Sequence, residues 1–119
     1  MVQKANGRTK RIAALNDALR KNPLDRALGQ VLVSAGIAGE GLAFRAKVLS
    51  TITAMSAKDF KKGNDPYGER DFNSFSVDGK LCLFKIDYYA KDDLRCGSED
   101  ASDVAKTTRV MTVMLASDY

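Results

Sequence analysis

Apolar residues recur at helical spacing early in the chain. Ile12, Leu15 and Leu19 share one face, with Ala14 and Ala18 beside them. Arg11, Asp17, Arg20 and Lys21 turn to the other side. Thr9 stands where a helix cap would, and Pro23 disfavours helical backbone at Asn22. The spacing predicts a helix over 9–22. Residues 30–37 (QVLVSAGI) are apolar and β-branched, which predicts a buried strand. Residues 39–49 read as a second helix, with Leu42, Arg45 and Leu49 marking its turns. The segment 50–60 fits either a helix extension or a strand, and the run Thr51-Ile52-Thr53 favours a strand at 51–56.

The second half alternates at period two. Residues 61–68 form a loop by composition. Phe72–Val77 and Lys80–Tyr89 then flank Asp78-Gly79, a strong hairpin signal because both turn positions need positive φ. In the second strand Cys82, Phe84, Ile86 and Tyr88 face one way, and Leu81, Leu83, Lys85, Asp87 and Tyr89 the other. Residues 90–106 read as a long polar connection with about one helical turn, and 107–115 as a final strand. The expected class is α+β: two N-terminal helices packed on a mainly antiparallel sheet of about four to five strands. Residues 1–8 are expected to be a flexible basic arm and 9–119 a single domain.

Composition narrows the chemistry. There is no His among the 119 residues, which removes Ser-His-Asp and Cys-His nucleophiles and the commonest zinc ligand. Two cysteines cannot build a four-thiolate site within one chain. Cys82 sits in an apolar run and Cys96 in a polar one, and free thiols are expected. No apolar stretch follows the basic start, as a secretory signal would need, and none is long enough to span a membrane. A cytoplasmic location is the expectation. The net charge of +4 hides a split. Residues 1–62 carry 12 Lys+Arg against 4 Asp+Glu, and residues 63–119 carry 7 against 11. Such a split marks either a partner surface or two parts of one domain that attract each other.

Three carboxylates, Asp65, Glu69 and Asp71, crowd one loop with Arg70 and Tyr67. Oxygen ligands of this kind suit Mg²⁺ or Ca²⁺, a carboxylate pair suits acid–base work, and Asp and Asn also simply organise turns. Lys85 and Asp87 share a strand face, with Arg109 expected nearby, either as an anion cradle or as a cross-strand ion-pair network. Tyr67, Tyr88 and Tyr89 are candidates for stacking on bases, Tyr88 and Tyr89 from opposite sides. Residues 36–41 carry three glycines but match no phosphate loop and read as a connection. Lys4, Arg8, Lys10, Arg11, Arg20, Lys21 and Arg26 form a basic N-terminal set that a phosphate backbone would welcome.

The blocks NDPYGERDFNSFSVDGKLCLFKIDYY and TTRVMTVMLASDY resemble the bacterial domain-of-unknown-function family three-seven-six-eight. The segments RIAALNDALR and VLVSAGI extend the likeness over nearly all of 9–119. Its most specific parts are Asn64-Asp65-Pro66, Gly68-Glu69, Asp71-Phe72 and Lys85 to Tyr89. The resemblance implies a small bacterial protein of plasmids or phage-like elements, a class rich in accessory inhibitors and regulators. It transfers no activity. The family pattern often has His where this chain has Arg70, and Trp where it has Phe84.

The leading expectation is a non-enzymatic binding protein that inhibits or modulates a host protein or ribonucleoprotein complex, with an anti-CRISPR-like role as one form. Its partner contacts would be Asp65, Tyr67, Glu69, Arg70, Asp71, Lys85, Asp87 and Arg109. The alternatives are nucleic-acid binding through Lys4, Arg8, Lys10, Arg11, Arg20 and Lys21, or a carboxylate or metal-dependent hydrolase at 64–72. No cofactor, resident metal or membrane contact is expected.

Overall fold

The Asp78-Gly79 turn closes the expected hairpin. In the computed structural model, which describes residues 7–61, 63 and 65–119, β2 (Phe72–Val77) pairs antiparallel with β3 (Lys80–Ala90). Asp78 at φ 51° and Gly79 at φ 78° supply the two left-handed positions that a primed turn demands. On its other side β3 pairs antiparallel with β5 (Thr107–Leu115), Phe84 opposite Val113 and Tyr88 opposite Arg109. β1 (Gln30–Val33) runs parallel to β5. The order is β1-β5-β3-β2, and β4 (Asp93–Gly97) pairs with the end of β3. The class is α+β, with a mixed five-stranded sheet.

Three helices accompany it: α1 (Gly7–Lys21), a short α2 (Ala35–Gly39) and α3 (Leu42–Ala54). Cys82, Phe84 and Ile86 of β3 pack with Met111 and Val113 of β5 against Leu19, Ile37, Phe44, Val48 and Ile52. Most of these residues are fully buried, and their apolar contact holds the layers together. Gly29 lies against β5, where a Cβ would sit 2.7 Å from the Arg109 carbonyl oxygen. That contact and its φ of 154° both require glycine.

Several expectations change. The strand proposed for 51–56 is helix through Ala54. Phe44, Val48 and Ile52 are four residues apart, so one helix buries all three. The Thr51 hydroxyl donates to the Lys47 carbonyl at 2.8 Å, which keeps that polar group satisfied inside the helix. The buried strand proposed for 30–37 ends at Val33, because Ser34 caps α2. Its Oγ accepts from Ile37 N–H at 3.2 Å and donates to Asp118 at 2.7 Å. β1 has a neighbour on one side only, and Gln30 and Leu32 stay exposed. The glycine connection at 36–41 becomes most of α2, a two-residue link and, at Gly41, the N-cap of α3. The long connection at 90–106 holds β4, not a helical turn alone.

Thr9 lies inside α1, not at its cap, and Gly7 and Arg8 of the expected arm are helical. The rest of that arm, residues 1–6 with Lys4, lies outside the described residues. The buried stripe of α1 is rotated from the expected one. Ile12, Ala13, Asn16, Leu19 and Arg20 are buried, while Ala14 is exposed. Among the described residues no helix is long and apolar enough to cross a membrane.

Candidate functional site

Asn16 and Arg20 bring polar groups onto the inner face of α1. Ile12, Asn16 and Leu19 are in helical phase, so Asn16 enters the core with them, above the covered face of the sheet. There it meets the end of β3. The Asn16 amide donates to the Tyr88 hydroxyl at 2.8 Å and to the Glu69 carbonyl at 3.0 Å. Its Oδ1 accepts from Arg109 Nε at 3.0 Å. The Tyr88 hydroxyl donates onward to Glu69 Oε1 at 2.8 Å. The Arg109 guanidinium lies 5.2 Å over the Tyr88 ring and also donates to the Ala101 carbonyl. Both amide hydrogens and the carbonyl oxygen of Asn16 thereby have a partner, the condition under which buried polar groups are tolerated.

Asp17 and Arg20 continue the cluster toward the loop that enters β2. The Asp17 carboxylate accepts a two-pronged bond from Arg70, Nε at 2.9 Å and Nη2 at 2.7 Å. It also accepts from Arg20. Burial pushes the Asp17 carboxyl up, but the Arg70 bonds and both guanidinium charges outweigh it and hold it below the usual carboxylate value. Arg20 is 1% exposed, stacks 4.7 Å over the Phe60 ring and points Nη1 at the Met55 carbonyl at 3.4 Å. Its Nε is the one buried side-chain polar atom without a partner among the described residues.

The loop is closed from within. Asp65 Oδ1 accepts from the Arg70 backbone N–H at 2.9 Å. Gly68 and Arg70 both adopt positive φ, 75° and 53°, which turns the chain sharply. Glu69 and Arg70 point inward as anchors, while Tyr67 stands 80% exposed at the tip. Asp71 is half-buried. Burial, then the charges of Glu69, Asp65 and Asp87, raises its carboxyl to about 6. Burial likewise raises the Tyr88 hydroxyl.

The expected residues therefore divide. Asp65, Tyr67, Glu69, Arg70 and Asp71 come together in the loop. Lys85 and Asp87 pair at 3.1 Å on the opposite face of the sheet. Arg109 does not join them as expected. It sits directly opposite Tyr88, 3% exposed on the helix-covered face, and offers a partner protein no contact. The Tyr88 ring lies under that guanidinium with its hydroxyl bonded at both ends, so it is no platform for bases. Arg20 is buried and is withdrawn as a phosphate contact. Arg8 pairs with Asp100 at 3.1 Å, while Lys10, Arg11 and Lys21 are exposed. Sequence reading passed over Asn16 and misplaced Arg20, although both fall in phase with the buried stripe. Ion pairs Arg8–Asp100, Lys47–Asp78, Arg70–Asp17 and Lys80–Glu40 each join the basic half to the acidic half.

Among the described residues no group of three or more His, Cys, Asp or Glu is gathered as metal ligands. A family model described as protein of unknown function, DUF3768, matches residues 9–118. No curated protein and no solved structure matches the chain.

Proposed function

We propose that this chain, which belongs to the DUF3768 family of proteins of unknown function, is a non-enzymatic binding protein that docks on a protein partner through its 65–68 turn. One observation carries the reading: an 80% exposed Tyr67 on a loop whose feet are tied down. Asp65 holds the Arg70 backbone, Arg70 grips Asp17, and Glu69 accepts from Tyr88. A large ring on a rigid support loses little freedom when a partner covers it, and Tyr is prominent among interface anchors. The carboxylates of Asp17 and Glu69 already accept hydrogen bonds from the protein's own donors, which favours support over acid–base work. The Asp65 carboxylate beside the turn suits a basic partner surface. Nucleic-acid-handling host complexes carry such surfaces, and an inhibitory, anti-CRISPR-like role is one form of this reading.

The test is affinity capture from nuclease-treated bacterial lysate. Wild-type protein is expected to retain a discrete protein complex that Tyr67→Ala loses while melting unchanged. Equal retention by both removes Tyr67 from the interface. Capture that disappears with nuclease favours a second reading, nucleic-acid binding along the outer stripe of α1. Lys10, Arg11 and Lys21 support that reading, being exposed and in no ion pair among the described residues.

A further inference from the structure

The opposite edge of the sheet offers a second, independent surface. β1 is bonded to β5 on one side and is the end of the strand order. Ser34 N–H donates to the Val113 carbonyl at 2.9 Å. By the alternation of a parallel ladder, Leu32 bonds on that same side, and the N–H and C=O groups of Val31 and Val33 face away from β5. A groove of about 690 Å³ runs along this edge. Pro23, Leu24 and Arg26 line it together with Arg45 and Leu49, which are one turn apart on α3. Leu24 is 91% exposed and Leu32 53%.

Two features say what belongs there. First, Gln30–Val33 (QVLV) is short, but it carries no charge, no proline and no bulge to turn a pairing strand away. Second, the groove is lined by two arginines and no carboxylate, and neither Arg26 nor Arg45 takes part in an ion pair among the described residues. We propose that β1 receives an extended acidic peptide of a partner protein as a sixth strand. The free groups of Val31 and Val33 supply main-chain hydrogen bonds, as in other strand additions. Alternate side chains of the added strand fall on the α3 side, where carboxylates meet Arg45, and on the open side, where apolar groups meet Leu32. A second copy of this chain fits less well, since it would set four guanidinium groups along one seam.

The experiment titrates ¹⁵N-labelled chain with acetyl-(Glu-Val)₄-amide, with acetyl-(Lys-Val)₄-amide as the control. The Val31 and Val33 amide signals are expected to move and their hydrogen exchange to slow with the acidic peptide alone. An Arg26→Glu/Arg45→Glu variant is expected to bind at least tenfold more weakly. Should that variant not fold, an acidic peptide N-methylated at alternate residues replaces it, and is expected to lose binding when the methyl groups face the edge. Unmoved Val31 and Val33 signals, equal binding of the lysine peptide, or full binding of both N-methylated registers overturns the proposal. So does a peptide-free dimer with Val31 and Val33 already protected, which would assign the edge to a second copy. Tyr67→Ala leaves this binding intact, so its failure is separable from that of the 65–68 docking surface.

Discussion

On the open face of β3, Lys85 and Asp87 form an ion pair at 3.1 Å with both side chains 38% exposed. On the covered face of the same strand, Tyr88 joins Asn16, Glu69 and Arg109 in a chain of hydrogen bonds, with Asn16 and Arg109 all but sealed from water. The residue types are comparable and the consequences are not. The open pair trades one solvated state for another and adds little. The covered cluster contributes little net energy while intact, yet each member removed strands the others without water. Burial, not the number of charges, decides which polar residues hold this fold together.

The sharpest way to break the contrast is Arg109→Ala. It leaves Asn16 Oδ1 and the Ala101 carbonyl without their donor and empties the space over the Tyr88 ring. The expected loss is about 3–5 kcal/mol, read as a shift of the urea midpoint. A loss below about 1 kcal/mol would mean that water enters and serves the orphaned groups.

A smaller effect comes from Asp71, between the two extremes. Its carboxyl is raised to about 6, so the folded state holds that proton more tightly than the unfolded chain. Stability from this group is therefore fully present below about pH 4 and is lost as pH rises through 6. Wild-type protein is expected to melt higher at pH 5 than at pH 7. Asp71→Asn should flatten that difference by about 1 kcal/mol after allowance for partial exposure. Identical pH profiles for the two proteins would remove Asp71 as the source.

The smallest effect is expected at the open pair. Lys85→Ala should change stability by no more than about 0.5 kcal/mol, and less at high salt. A loss near 2 kcal/mol by chemical denaturation would erase the distinction between the two faces.

The hairpin was legible because Asp78-Gly79 states its turn chemistry outright, and β3 and β5 because alternation fixes their faces. α3 was read short because Thr51-Ile52-Thr53 prefers strand locally, while the spacing of Phe44, Val48 and Ile52, which decides the matter, is a tertiary signal. β4 was hidden by its charges. The 65–71 loop stood out by composition, but its partners did not. Asn16 is 53 positions from Glu69 and 93 from Arg109. Which face Arg109 takes depends on a register in which a slip of one residue inverts every side chain, and no residue near Arg109 announces that register. The buried face of α1 was legible in part, since Asn16 lies in phase with Ile12 and Leu19, but an asparagine there looks polar until its partners are known.

The parallel pairing of β1 with β5 sets a timetable for the newborn chain. Gln30 has no strand to join until Val110 has been made, and Asn16 has no guanidinium until Arg109 has. At synthesis speeds of roughly 5–20 residues per second, that interval is about 5–20 s. During it α1 and β1 emerge as an uncommitted pair with a sticky, unguarded strand, and the hairpin of β2 and β3 can form before either of them docks. β5, made last, is thus the strand whose arrival gives β1 its only neighbour in the sheet.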